Sequence, residues 1–153
     1  MTVCLRYMKD HSAAEDILIR AFARVFEKLS SFQQKGSLEG WIRRIVVNEA
    51  LGRIRTESSM KWEVSLEDGL MDAASSENVL DTISAKELLD LIQTLPIGYR
   101  TVFNLYAIEG YSHKEIAEEL GIREGTSKSQ FNRARLTLQK KIESLTKISE
   151  YGS

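Results

Sequence analysis

The chain has 153 residues, 42% hydrophobic and 28% charged, with a formal net charge of −1. That composition suits a folded globular protein of one ordinary domain or two very small ones, and it excludes a disordered tail. One cysteine (Cys4) and two separated histidines (His11, His113) exclude an internal disulfide and a metal-ligand spacing, and no apolar run approaches the roughly 18–20 residues of a membrane span. The opening residues lack the apolar core of a signal peptide, so the expected compartment is the cytosol, without membrane insertion.

Charge is unevenly spread. Residues 1–55 hold ten Lys/Arg and six Asp/Glu, residues 56–87 hold two and eight, and residues 88–153 hold nine and eight. Within 123–141 the count is six basic to one acidic, so two basic regions flank an acidic middle.

In chain order, "MTVCLRYMK" reads as the last two turns of a helix without a start. The domain it opens is therefore expected to be truncated, or completed by a dimer, because so small a core is marginal alone. After "KDHS", Ser12 and Glu15 have the spacing of a capping box. The helix they open carries Ala14, Ile17, Leu18, Ala21, Phe22, Val25, Phe26 and Leu29 on one face, which is expected to be buried. "SSFQQKGS" reads as a loop. A second helix, about 38–55, has Trp41, Ile42, Ile45, Val46, Ala50 and Ile54 as its buried stripe, with Arg44, Asn48 and Arg55 together on another side.

Residues 56–83 read as a flexible acidic linker, rich in serine and turn signals. Helical periodicity returns at Leu88, and Pro96 is expected at the first position of a further helix, where its missing N–H costs nothing. Ser112 and Glu115 form another capping box, and Gly121 supplies the left-handed residue that ends that helix. The next helix, about 124–141, is expected to expose Lys128, Ser129, Gln130, Arg133 and Arg135 and to bury Phe131, Ala134 and Leu138. This is helix-turn-helix anatomy, whose second helix enters the DNA major groove. The fold expected is all-α: two small helical domains, 1–55 and 84–148, joined by the linker 56–83, the second a four-helix helix-turn-helix domain.

The stretch "LPIGYRTVFNLYAIEGYSHKEIAEELGIREGTSKSQFNRARLTLQ" resembles the C-terminal domain of extracytoplasmic-function (ECF) sigma factors. "AAEDILIRAFARVFEKLSSF" followed by "GSLEGWIRRIVVNEALGRIR" is similar to the family's second domain. The resemblance implies a subunit that directs RNA polymerase to promoters, not an enzyme and without a cofactor. Its implied partners are promoter DNA, core RNA polymerase through the β′ clamp and β flap, and an anti-sigma factor. It also implies roles for particular residues. Thr126, Lys128, Ser129, Gln130, Arg133 and Arg135 would contact the minus-thirty-five element. Arg43, Arg44, Asn48, Arg53 and Arg55 would line the minus-ten strand, the loop Ser31 to Ser37 would hold a flipped base, and Glu15 and Asp16 would meet the clamp. Four departures from the family pattern stand out: Ile19 with Arg20, Arg123, Ser127 in place of an inward valine, and Gln130 in place of a basic residue. An unpaired buried hydroxyl at Ser127 would cost about 1–3 kcal/mol. Two other readings are a helix-turn-helix regulator acting without polymerase and a truncated protein that sequesters an anti-sigma factor.

Overall fold

The structure, a computed structural model, describes residues 1–57 and 84–151, with side chains as far as residue 145. Its contacts divide the chain into two compact units, residues 1–61 and 62–153. Among the described residues there are seven α-helices and no strand. No described helix is long and apolar enough to cross a membrane.

The first unit comprises α1 (Thr2–Tyr7), α2 (His11–Lys28), a 3₁₀ turn (Leu29–Ser31) and α3 (Leu38–Glu57). The cap of α2 lies earlier than the sequence suggests. Asp10, in extended backbone, accepts the Ala13 N–H at 3.0 Å, so Ser12 falls inside the helix and closes no capping box. Aspartate caps as well as serine does, and the earlier cap adds two helical residues, His11 and Ser12. Glu15 instead faces His11, 3.3 Å from its Nδ1.

Cys4, Tyr7 and Met8 on or beside α1 close the core with Ala14, Ile17, Ala21 and Val25 of α2 and Val46, Val47, Ala50, Leu51 and Ile54 of α3. The short α1 therefore packs on both longer helices. It does not cover the whole apolar face of α2: Phe22 is 43% exposed, Phe26 73% and Leu29 48%, contrary to the expected burial. The apolar stripe of α2 spans more of the helix circumference than two neighbours can reach, so Ala21 and Val25 are buried while the adjoining side with Phe22 and Phe26 is left in solvent. On α3, Trp41, Ile42 and Ile45 are only half-buried, Trp41 lying beside Phe32 with ring centroids 5.4 Å apart. Arg24 and Glu49 form an ion pair that ties α2 to α3.

The second unit comprises α4 (Ala85–Gln93), α5 (Ile97–Phe103) running into a π-helical turn (Asn104–Ile108), α6 (His113–Leu120) and α7 (Glu124–Tyr151). A capping box at Ser84 and Glu87 starts α4. Pro96 stands one position ahead of α5, with extended ψ, and is not its first helical residue. Leu91, Leu95, Ala134, Leu138 and Ile142 form the core, with Tyr99 and Phe103 packed against it. Arg100 is buried and donates from Nη1 to the Gln93 carbonyl at 3.2 Å, a cation set against the C-terminal carbonyls of α4. The expected linker 56–83 lies outside the described residues, apart from Thr56 and Glu57, which prolong α3.

Candidate nucleic-acid interface

The helix-turn-helix is built by local rules that the sequence carries. The Ser112 N–H donates to Glu115 Oε2 at 2.8 Å, and the Glu115 N–H donates back to Ser112 Oγ at 3.2 Å, so two free donors at the start of α6 are satisfied. Gly121 ends α6 with φ of 67°, a left-handed conformation that costs a side chain strain, and Ile122 N–H then returns to the Ala117 carbonyl at 3.0 Å. These devices fix where α7 begins.

On α7, Lys128 is exposed, and Thr126, Ser129, Arg133 and Arg135 are half-buried. Lys128 Nζ lies 2.8 Å from Glu124, a favourable i,i+4 pair on an exposed face that a phosphate can displace. Arg133 Nη1 lies 3.5 Å from the Tyr99 hydroxyl, and the Ser129 hydroxyl donates to the Thr126 carbonyl at 3.0 Å. Gln130 departs from expectation. It is 3% exposed, seated against Gly98, where an added Cβ would lie 3.0 Å from Gln130 Oε1. Its amide faces α5, because position 130 lies one turn before Ala134 on the buried side of α7.

Asn132 is a further candidate beyond those the sequence suggests: it stands three residues from Ser129 and four from Lys128, half-buried on the side away from Ala134 and Leu138. The i, i+3, i+4 spacing was the available signal.

Ser127 is fully buried, and its hydroxyl is paired: Oγ lies 2.9 Å from His113 Nδ1. The cost of an unpaired hydroxyl is thereby avoided. The His113 ring stacks on Tyr106, carried by the π-helical turn, with centroids 4.2 Å apart and planes 11° apart, and it meets Phe131 edge-on. Burial first, and then the Lys128 charge, push the His113 pKa below its ordinary value, while Glu124 opposes them. Glu124 itself is held low by its bond to Lys128.

In the first unit, Arg44, Asn48 and Arg55 are all exposed on α3, and Arg43 is half-buried. Arg53 is differently placed. Its Nε donates to Glu57 at 2.7 Å and its Nη1 to Asp16 at 3.4 Å, so a residue expected on DNA and one expected on polymerase share one contact. Between α2 and α3, Gln34 adopts a φ of 55°, rare for a residue with a side chain, and Gly36 a φ of 91°.

Residues 1–60 match the family described as Sigma-70 region 2, and residues 85–138 match Sigma-70, region 4. The ECF RNA polymerase sigma factor SigW of Bacillus subtilis (strain 168) is 32% identical over 94% of this chain and 82% of its own length. The ECF RNA polymerase sigma factor SigE of Mycolicibacterium smegmatis is 32% identical over 82% of this chain, which spans half the length of that relative. Among solved structures, the sigma factor RpoE from Bartonella quintana, crystallised with the anti-sigma factor NepR, is similar with a TM-score of 0.55 and 22% identity, over 90% of this chain and 86% of that one. That last likeness is one of fold.

Proposed function

This chain belongs to the extracytoplasmic-function sigma factors, and from that membership we propose that it directs bacterial RNA polymerase to specific promoters at transcription initiation. The observation that carries the proposal is the outward side of α7, where Lys128, Ser129, Asn132 and Arg133 follow one another on a capped, glycine-turned helix-turn-helix. In the major groove of the minus-thirty-five element, Lys128, Arg133 and Arg135 would neutralise phosphates. Ser129 and Asn132 would meet base edges, asparagine suiting adenine through paired hydrogen bonds.

In the first unit, the exposed set Arg44, Asn48 and Arg55, with Arg43, would track the single-stranded minus-ten element as a cationic path. The loop Ser31 to Ser37 would hold its flipped base. Glu15 and Asp16 would face the β′ clamp. Arg53 would reach the strand only after exchanging its bonds to Asp16 and Glu57, and clamp binding by Asp16 would favour that exchange. The second unit would dock on the β flap, and RNA synthesis itself would be the polymerase's. An anti-sigma factor would be the natural negative regulator, as NepR accompanies RpoE. The expected dimer has only the exposure of Phe22 and Phe26 in its favour and forms no part of the proposal. A polymerase-independent regulator and a sequestering protein are not favoured beside the two sigma regions matched in order.

Run-off transcription with purified core polymerase on a pool of bacterial promoter fragments tests this. The expected result is promoter-specific transcripts that appear only when the chain is added. Sequence-specific DNA binding without any complex with core would support the regulator instead. Capture of core or of an anti-sigma factor without transcripts would support sequestration.

A further inference from the structure

The recognition helix is seated by two different kinds of contact along its length. Toward its middle, Ala134, Leu138 and Ile142 enter the apolar core. At its reading end, the buried positions are Ser127 and Gln130, both polar. Apolar packing is non-directional and tolerates small rotations of a helix about its axis, whereas a hydrogen bond fixes a direction. Base readout tolerates little of that rotation, since functional groups need placement within about 0.5 Å and 10–20°.

We propose that the His113–Ser127 hydrogen bond is a positioning clip that sets the rotation of the reading end of α7, and so determines how sharply this protein discriminates among promoter sequences. The inference rests on the reading of α7 as the DNA-recognition helix. Ser127 immediately precedes Lys128 and stands two residues before Ser129, so its anchorage aims both. The 2.9 Å bond reaches from the first residue of α6 to the second turn of α7, across the turn. The ring that makes it is itself held, by stacking on Tyr106 and by the edge of Phe131, which also lies 4.5 Å from Tyr106 by centroids. His113 touches no DNA in this scheme. It is a positioning residue that acts through Ser127.

Two substitutions remove the bond while keeping the packing. Ser127→Ala removes the hydroxyl and adds no atom at this fully buried position, and His113→Phe keeps an aromatic ring against Tyr106. The test uses holoenzyme assembled from the full chain and core polymerase, with the DNA that wild-type holoenzyme enriches from a random-duplex library and a scrambled duplex as the comparison. Each variant should lose about fivefold in the ratio of enriched to scrambled binding, the worth of roughly one hydrogen bond. Scrambled-duplex affinity should be unchanged. The double variant should be no worse than either single one, because both remove the same bond. An unchanged ratio in both single variants, or losses that multiply in the double, would overturn the clip while leaving α7 on DNA. Failure of wild-type holoenzyme to enrich any sequence would instead overturn the DNA reading and the clip together.

Discussion

Lys128 holds its ammonium beside Glu124 in the free protein, and Arg133 lies near the Tyr99 hydroxyl. The first contact is exposed and the second only half-buried, so truncating either side chain should leave the fold intact and act on DNA. Lys128→Ala and Arg133→Ala are each expected to lower the slope of log affinity against log salt by about one, the mark of a lost phosphate contact. Binding titrations across a salt series, with helicity checked by circular dichroism, measure this, and an unaltered slope in both variants would take α7 off the DNA. Gln130→Ala belongs to another class. Because its amide is buried against Gly98, the variant should lose about 1–3 kcal/mol of stability. It should not relax preference at one base position. A selective change at a single promoter position, with melting unaltered, would refute that assignment.

At the scale of single elements, the caps and the imidazole decide how firmly the helix-turn-helix is set. Ser112→Ala removes the acceptor for the Glu115 N–H and should cost about 1 kcal/mol. A thermal or chemical melt of the variant that superimposes on wild type would mean the box contributes nothing. His113 makes stability depend on pH, and the sign follows from its environment. Burial and then Lys128 hold its folded pKa below the ordinary value, so the unfolded chain takes up the proton first. Its stabilising contribution is therefore complete above the unfolded value of about 6.5 and declines as pH falls from there toward the lower folded value. The melting temperature should fall between pH 7.5 and 5.5 in wild type and fall less in His113→Phe. A parallel decline in both proteins would assign the acid sensitivity to other groups.

At the scale of the whole molecule, the two units differ in how completely they cover their apolar faces. Burying a large apolar side chain is worth roughly 1.5–3 kcal/mol, and in the first unit Ile19, Phe22, Phe26 and Leu29 remain substantially exposed along one side of α2. The second unit instead closes a continuous core between α4, α5 and α7, anchored by fully buried Leu95, Val102 and Ala134. Small domains retain only a few kcal/mol between large opposing terms, so this difference should be visible. In dilute, demonstrably monomeric protein, amides of residues 13–29 should exchange hydrogen far faster than those of 113–138. Equal protection would show that α1 suffices to complete the first unit.

Much of this was legible in the residues, because local signals have local causes. The Ser112–Glu115 box, the left-handed Gly121 and the inward Ala134 and Leu138 follow from spacing within one or two turns, and the two motif blocks identified the family. What spacing could not decide was which neighbour reaches which side chain. Asp10 displaced Ser12 as the cap of α2, and Phe22 and Phe26 stayed in solvent on a face of the right period because α1 and α3 do not extend over them. Gln130 turned inward because Gly98 of α5 leaves room for its amide, and the hydroxyl of Ser127 found His113 fourteen positions away. Arg53 met Asp16 across two helices. Periodicity specifies the face a residue occupies, whereas burial and hydrogen bonding depend on the partner opposite that face, which only the packed helices supply.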